Sequence, residues 1–443
     1  MDRARVALLS LLPASTLIVG VCSAGTQSGR NWPTDPDMNV SLVAALLGPL
    51  VAMLALTRLA PGFDRILVSS VAMLATIGTT TLYLLSTGTG PNQEFFQSIV
   101  VRHGLFVGAG FVALVAGVAS VRHLDRVMRY PFALLGVALL LTATTVVFGE
   151  SINGARLWLQ VGPVQFQPSE VARLLLTGFV AAYLYDRRHL VAAPWRVGRL
   201  DLPPVPYLAP LIGAVLGAVA VLVFQNDLGM AALVVLGAFA SVAGVLSSKS
   251  SLGAAGGVIG LAAVASFAVV PRVRDRVAGW LDPWRDPAGR GFQFVQADYR
   301  LAGGGPLGHA DAMPSAIVPE IHTDFILAGV GGQLGWLGAI AVVALAGLLV
   351  CRCALVAVRA ADGFQSLLAL SIAGLIGIQM LLIAGGTLRI LPLTGLTFPL
   401  VSYGGTSLVV TSFALGIVVG TGASYGGRAM KREKFELAQF NAG

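Results

Sequence analysis

The chain has 443 residues, 56% of them hydrophobic and 11% charged, with a net charge of +8. A soluble globule of this length needs far more polar surface, so the composition excludes one and points to a single integral membrane domain over 1–443. The excess of cations suits anionic membrane lipids and not nucleic acid.

Apolar runs of about 20 residues, long enough for a helix to cross hydrocarbon, recur along the chain. They predict an all-α polytopic fold of about 12 transmembrane helices, at 5 to 23, 40 to 58, 66 to 87, 101 to 121, 131 to 149, 169 to 186, 206 to 225, 228 to 247, 251 to 271, 323 to 351, 364 to 389 and 405 to 425. Arg3 and Arg5 ahead of the first run imitate a signal peptide, but Val21 before Cys22 does not suit a lipoprotein cleavage site, so the run is read as a retained span. Basic residues stay on the cytoplasmic side. Arg58, Arg65, Arg122, Arg126, Arg129, Arg187, Arg188, Arg196, Arg199, Lys249, Arg352 and Arg359 share one side with both termini, including the tail 427–443. Both termini are therefore expected in the cytoplasm and the connection 272–323 outside. Cys22 then lies on the opposite side from Cys351 and Cys353, which excludes a disulfide between them.

Four polar segments interrupt this pattern. The first runs from Asn153-Gly154-Ala155-Arg156-Leu157-Trp158 to Gln167-Pro168-Ser169-Glu170, and reads as a polar re-entry followed by a helix start. Pro168 and Ser169 suit a helix N-terminus, and Glu170 and Arg173 share a helix face and can pair. The second, Asn226-Asp227-Leu228-Gly229, joins two spans with almost no loop, so Asp227 must bond to the backbone of a turn, find a partner or lie in a wet cavity. The third is the loop 272–323, which concentrates charge beside the membrane. Arg272, Arg274 and Arg276 alternate as an extended strip would, suiting headgroup contact, and Pro283, Pro287 and Gly289 set Asp282 and Asp286 on turns. A loop this long is expected to carry short helices of its own or to be functional. It closes on Pro319-Glu320-Ile321-His322-Thr323-Asp324-Phe325, which could cap a helix, bind a divalent cation or clamp a phosphate. The fourth, 394–407, holds Ser402 in a hydroxyl- and glycine-rich stretch that lipid cannot satisfy.

Taken together these segments resemble the shape, elongation, division and sporulation (SEDS) family typified by RodA and FtsW, on the RodA side. The shared motifs are Asn153-Gly154-Ala-x-x-Trp158, Gln167-Pro-Ser-Glu170, Asp227-Leu-Gly229, Asp282-Pro-x-x-Asp286-Pro-x-Gly289, Pro319-Glu320-x-His322-Thr-Asp324-Phe325 and Ser402-Tyr-Gly-Gly-x-Ser407. The resemblance covers most of Gly104 to Gly420. It implies a SEDS-like core at 66–426, with 1–65 adding two probable transmembrane helices to the usual ten. Two positions depart from the pattern: Asn226 stands where many members carry Pro, and Gly332-Gln333 replaces a Glu-Glu pair.

The resemblance further implies a multi-pass peptidoglycan glycosyltransferase of the bacterial plasma membrane that polymerises lipid II with a class B penicillin-binding protein. Its catalytic carboxylate would be Asp286. Joining two lipid-linked disaccharides needs a base for the attacking hydroxyl and cations for the departing pyrophosphate. Asp286 is then the expected base, with Arg285, Arg290 and Arg156 as clamps. Gln167, Glu170, Asp227, Asp282, Glu320, His322, Asp324 and Ser402 are the expected substrate-binding residues. No cofactor is firmly expected, although Asp286, Glu320 and Asp324 could hold Mg or Mn. A lipid II transporter and a catalytically weak scaffold are the alternatives.

Overall fold

The structure is a computed structural model that describes residues 36–87, 93–152, 155–162, 164–197, 200–308 and 318–442. The expected span at 5 to 23 and the Asn153-Gly154 pair lie outside the described residues. The main helices in chain order are α1 (Pro36–Leu59), α2 (Arg65–Ser86), α3 (Gln93–Ser120), α4 (Pro131–Phe148), α5 (Pro168–Asp186), α6 (Val205–Phe224), α7 (Leu228–Ala243), α8 (Lys249–Val269), α9 (Pro271–Leu281), α10 (Phe292–Gly303), α11 (Ile326–Arg359), α12 (Gly363–Thr387) and α13 (Gly405–Ala442). Among the described residues nine are long and apolar enough to cross a membrane. Two expected spans fall short of that: α5, whose first turns hold Glu170 and Arg173, and α7, with only 16 residues.

The all-α expectation needs a correction. Strands β1 (Glu150–Ile152), β2 (Ala155–Val161) and β3 (Val164–Phe166) form an antiparallel meander where a polar re-entry was expected, with Ser151 opposite Arg156 and Gln160 opposite Gln165. A second hairpin, β4 (Trp195–Val197) with β5 (Leu200–Leu202), lies at the other end of the bundle. Alternating side chains and a Gly-containing turn let the first segment pair with itself, so its backbone groups need no helix.

Small residues set the close crossings. Gly117 of α3 and Gly416 of α13 bring their backbones together, each blocking the place a Cβ on the other would take, as expected where helices gain only packing energy from one another. Helix α1 lies along α3, with Gly104 against the Ser41 carbonyl. At the end opposite the long loop, Asp64 caps α2 by accepting from Leu67 N–H (3.0 Å) and pairs with Arg352 of α11, which fixes those two helices together. By contrast α8 stands off the bundle. Ser251 is its one buried residue, and the hydroxyls of Ser248, Ser250 and Ser251 tie it to Asp201 of β5.

Arg272, Arg274 and Arg276 lie on a helix, not on the extended strip expected: Pro271 starts α9 at a position where its missing N–H costs nothing. A single 3₁₀ turn at Pro283–Arg285 follows, then α10, so the long connection carries its own helices as its length suggested. The chain after α10 inserts into α11. Gly335 takes φ 75° and ψ 173° there, breaking the helix, and Trp336 and Leu337 N–H groups donate to the Gly305 and Pro306 carbonyls (2.9 and 3.3 Å). Before the break, Ile326 to Gln333 are all buried.

Only glycine tolerates the Gly335 backbone, and a Cβ there would overlap the Pro306 carbonyl. Gly335→Ala is expected to destabilise the protein by roughly 1–3 kcal/mol or more, read as a fall in Tm in detergent.

Candidate functional site

The site forms where four segments meet: the α6/α7 junction, α9, the entry to α11, and the stretch between α12 and α13. Asp227 caps α7, its Oδ1 accepting from Met230 N–H (3.0 Å). The turn expected from the sequence is thus a helix cap, and Asp227 Oδ2 is buried with no hydrogen-bond partner among the described residues. Burial, opposed by the Met230 bond and reinforced by Glu170, pushes the Asp227 carboxyl up to about 6.

Arg276 reaches inward from α9 and donates to the Thr394 carbonyl (2.9 Å), while Trp280, one turn on, donates to the Arg389 carbonyl (2.9 Å). A neighbouring stripe of α9 clips the next loop. Asp275 pairs with Arg290 (3.3 Å), and Gly279 leaves room for the Arg290 carbonyl. Burial, then the neighbouring Arg272, lowers the Arg276 pKa, but a guanidinium stays cationic.

Asp324 lies just ahead of α11. Burial and the nearby Glu320 push its carboxyl up to about 7, against the pull of Arg276 and the Thr323 hydroxyl. The place a Cβ on Gly395 would take is 3.4 Å from Arg276 Nη2 and 3.6 Å from Asp324 Oδ2. The cation and the carboxylate therefore flank one small space but form no ion pair within 4 Å. Gly395 itself sits at φ 73°, where a side chain is disfavoured, so that space stays open.

Ser402 frames this carboxylate. Its hydroxyl accepts from Phe398 N–H (2.8 Å) and donates to the Thr323 carbonyl (2.6 Å), and Tyr403 N–H donates to the His322 carbonyl (2.8 Å). The expected substrate contact from Ser402 is thus a structural bond. His322 packs edge-on to Phe95 and Phe96 and lies 3.9 Å from Glu320. Burial lowers its pKa, opposed by Glu320, so it favours neutral imidazole. Glu320 is exposed at φ 54° and accepts from the Thr323 hydroxyl (3.1 Å).

Below these groups Glu170 and Arg173 form the expected pair at 2.7 Å, both buried. Arg173 also donates to Gln379 of α12, whose Nε2 donates to the Thr397 carbonyl (2.8 Å). The Gln167 N–H donates to the Thr406 hydroxyl (3.2 Å), joining the start of α5 to α13.

The sequence profile of the FtsW/RodA/SpoVE cell cycle proteins matches residues 64–424. The chain belongs to this family. It is 32% identical to the peptidoglycan glycosyltransferase RodA of Mycobacterium tuberculosis over 378 residues, 83% of this chain and 79% of that one. It is also 32% identical to the probable peptidoglycan glycosyltransferase FtsW of Aromatoleum aromaticum, over 80% of this chain and 87% of that one. The fold matches the rod shape determining protein RodA of Thermus thermophilus with a TM-score of 0.58 and 28% identity, covering 82% of this chain and 97% of that one. A chain from a peptidoglycan synthase complex described as coordinating polymerization and crosslinking matches at 0.66 and 30% identity, covering 82% and 99%.

The family motifs divide in space. Asp227, Glu320, His322, Asp324 and Ser402 converge with Arg276, and Glu170 lies in the network beneath. Asp282, Arg285, Asp286 and Arg290 are exposed on the loop clipped to α9, and Arg156 is exposed on β2. Asp286 accepts from Arg290 N–H (3.1 Å), so Arg290 serves it through its backbone while its guanidinium is held by Asp275. Among the described residues no three His, Cys, Asp or Glu side chains gather as metal ligands. Both family departures have local causes. Asn226 takes φ 62°, which proline cannot adopt, and Gly332 leaves space for Arg300 of α10.

The sequence reading passed over Arg276, Gln379 and Gly395. Gln379, the lone amide in an otherwise apolar stretch of α12, was the available signal. Removing one partner of the buried Glu170–Arg173 pair, as in Glu170→Gln, is expected to cost about 3–5 kcal/mol. Adding Arg173→Met should recover part of that loss in a thermal-unfolding double-mutant cycle.

Proposed function

We propose that this chain is a peptidoglycan glycosyltransferase that polymerises lipid II at the outer face of a bacterial plasma membrane. Twelve spans with cytoplasmic termini, and a class B penicillin-binding protein as partner, complete this reading. Support comes from relatives named peptidoglycan glycosyltransferase, from the excess of basic residues on one set of alternate connections, and from the likeness to a chain of a synthase complex described as coordinating polymerization and crosslinking. The single observation that carries it is Asp324, a half-buried carboxyl pushed up to about 7 across a small space from Arg276.

The geometry favours Asp324 over Asp286 as the base. An efficient general base has a pKa near the working pH, whereas Asp286 is exposed and already bonded to its own loop. The acceptor sugar hydroxyl attacks the donor's anomeric carbon and gives its proton to Asp324. The bond from that carbon to the pyrophosphate oxygen breaks, and its electron pair leaves with the pyrophosphate. Arg276 offsets the charge that develops there, in a setting where burial strengthens the interaction. The free Oδ2 of Asp227 can accept from a substrate hydroxyl. Arg156 and Arg285 extend the cationic surface outward, and no step is routed through a metal.

A transporter is expected to hold its key charges at mid-membrane depth. Here Asp227 and Asp324 sit at the starts of helices and Arg276 lies on the short α9, outside the long apolar helices, which favours the transferase. The scaffold reading drew on Gly332-Gln333, but those residues lie eight or more positions into the chain beyond Asp324, roughly 12 Å along a helix, and contact α10.

Asp324→Asn in folded, membrane-inserted protein is expected to lower lipid II polymerisation by about 10²–10⁴-fold, and Asp286→Asn much less. The opposite ranking would return the base to Asp286. Because Asp324 acts when ionised, kcat/KM should rise with pH and level off above about 7. Arg276→Gln removes a cation that lowers this pKa, and should move the inflection to higher pH.

A further inference from the structure

The site just described leaves unused the outermost feature of the long loop. Pro283 is buried and its carbonyl occupies the place a Cβ on Gly291 would take, so the turn Pro283–Arg285 is fixed on both sides. It holds the Trp284 indole outward, 50% exposed, and Tyr299 of α10 meets it edge-on at 5.7 Å and is 45% exposed. Three connections hold this pair against the site. Asp275 and Gly279 clip the loop to α9, Trp280 bonds the Arg389 carbonyl, and Arg389 pairs with Asp298, next to Tyr299 (2.9 Å). Leu281, between Arg276 and Trp284, ends the helix that links them, so the platform lies about 8 Å beyond Arg276 along α9 and one turn further.

We infer that Trp284 and Tyr299 form a stacking platform for the pyranose rings of the glycan strand as it leaves the site. This rests on the transferase reading for its ligand. The C–H faces of a hexosamine ring carry partial positive charge and suit the electron-rich face of an indole. A T-shaped pair leaves one indole face open. Asp282, Arg285 and Asp286 are exposed around it, offering acceptors and donors to ring hydroxyls, amides and carboxylates. Aromatic side chains also anchor proteins at lipid headgroups. Here, however, the carboxylates of Asp275, Asp282 and Asp286 are interleaved with Arg274, Arg285 and Arg290, and such a mixed surface attracts anionic headgroups less than a purely basic one does. A rigid turn with mixed charge and one open indole face fits a polymer rich in hydroxyls and amides better.

Two measurements test this. In the first, purified full-length protein polymerises lipid II, and strand lengths are compared for wild type and Trp284→Phe, Trp284→Leu and Tyr299→Leu. Trp195→Leu, at the exposed tryptophan of the β4–β5 hairpin, is the control. Loss of one aromatic contact should shorten strands about two- to tenfold in Trp284→Leu, more than it slows lipid II consumption. Trp284→Phe should restore most of the length, and Trp195→Leu should leave it unchanged. In the second, soluble N-acetylglucosamine oligomers are titrated into wild type and Trp284→Leu, with binding read by saturation-transfer NMR. The wild type should bind and the Leu variant should lose binding by a similar factor.

The binding arm stands whether or not the protein polymerises. Binding lost in Trp284→Leu with no polymer from wild type would keep the platform and sink the transferase reading. Equal strand lengths and equal binding in both proteins would overturn the inference. So would full function in Trp284→Leu, which would make the indole an apolar anchor. Loss of a co-purified transpeptidase with strand length unchanged would give the surface to a protein partner and overturn it as well.

Discussion

Arg276 and Asp324 face each other across a space they do not close, and most of the outer architecture serves to hold them that way. Two opposite charges in a half-buried setting would ordinarily collapse into an ion pair, because their attraction grows as water is excluded. The Thr394 carbonyl holds the guanidinium by one nitrogen, and Ser402 holds the Thr323 carbonyl beside the carboxylate. Gly395 keeps the intervening volume free of a side chain. The result is a carboxyl whose charge is neither fully compensated nor fully solvated, which is why its pKa is pushed towards neutrality. α9 is the element on which this depends. As a helix it presents Arg276 and Trp280, one turn apart, to the 389–394 stretch, and Asp275 and Gly279, also one turn apart, to the loop at Arg290.

Beneath the site lies a different solution to the same problem. Glu170 and Arg173 are buried and paired with each other, and Arg173 is bonded to Gln379, which in turn bonds the Thr397 carbonyl. A buried network of this kind contributes little net stability over an apolar core, but its breakage is costly. It also fixes the 394–407 stretch against α5 and α12. The stretch has no regular secondary structure of its own up to the start of α13, so it depends on these side-chain bonds for a single conformation. The polar floor explains why α5 falls short as an ordinary span. Its first turns are written for the network and not for lipid.

The family motifs keep a spatial order in this chain. The motif positions fall into an inner group around Asp324 and an outer group around Asp286, and the two are joined by α9. Departures from the family pattern follow local geometry: a positive φ at Asn226, and an arginine packed into the space beside Gly332. Neither removes a group from the space between Arg276 and Asp324.

The length of the apolar runs was enough to place the nine long apolar helices among the described residues, because a run of about 20 apolar residues has few alternatives near lipid. The i,i+3 spacing was enough to pair Glu170 with Arg173, and proline and glycine were enough to set Asp282 and Asp286 on turns. Those features are local, and local rules decide them. Which carboxylate is buried was not local. Asp286 and Asp324 look alike in the sequence, each within a polar motif, and only the packing of α9, α11 and the 394–403 stretch separates an exposed carboxylate from a half-buried one. The β1–β3 meander was likewise hidden, since short strands depend on their partners more than on their own residues. Arg276 read as one of three alternating arginines until the tertiary structure turned it inward, because side-chain direction on α9 is set by what packs against it.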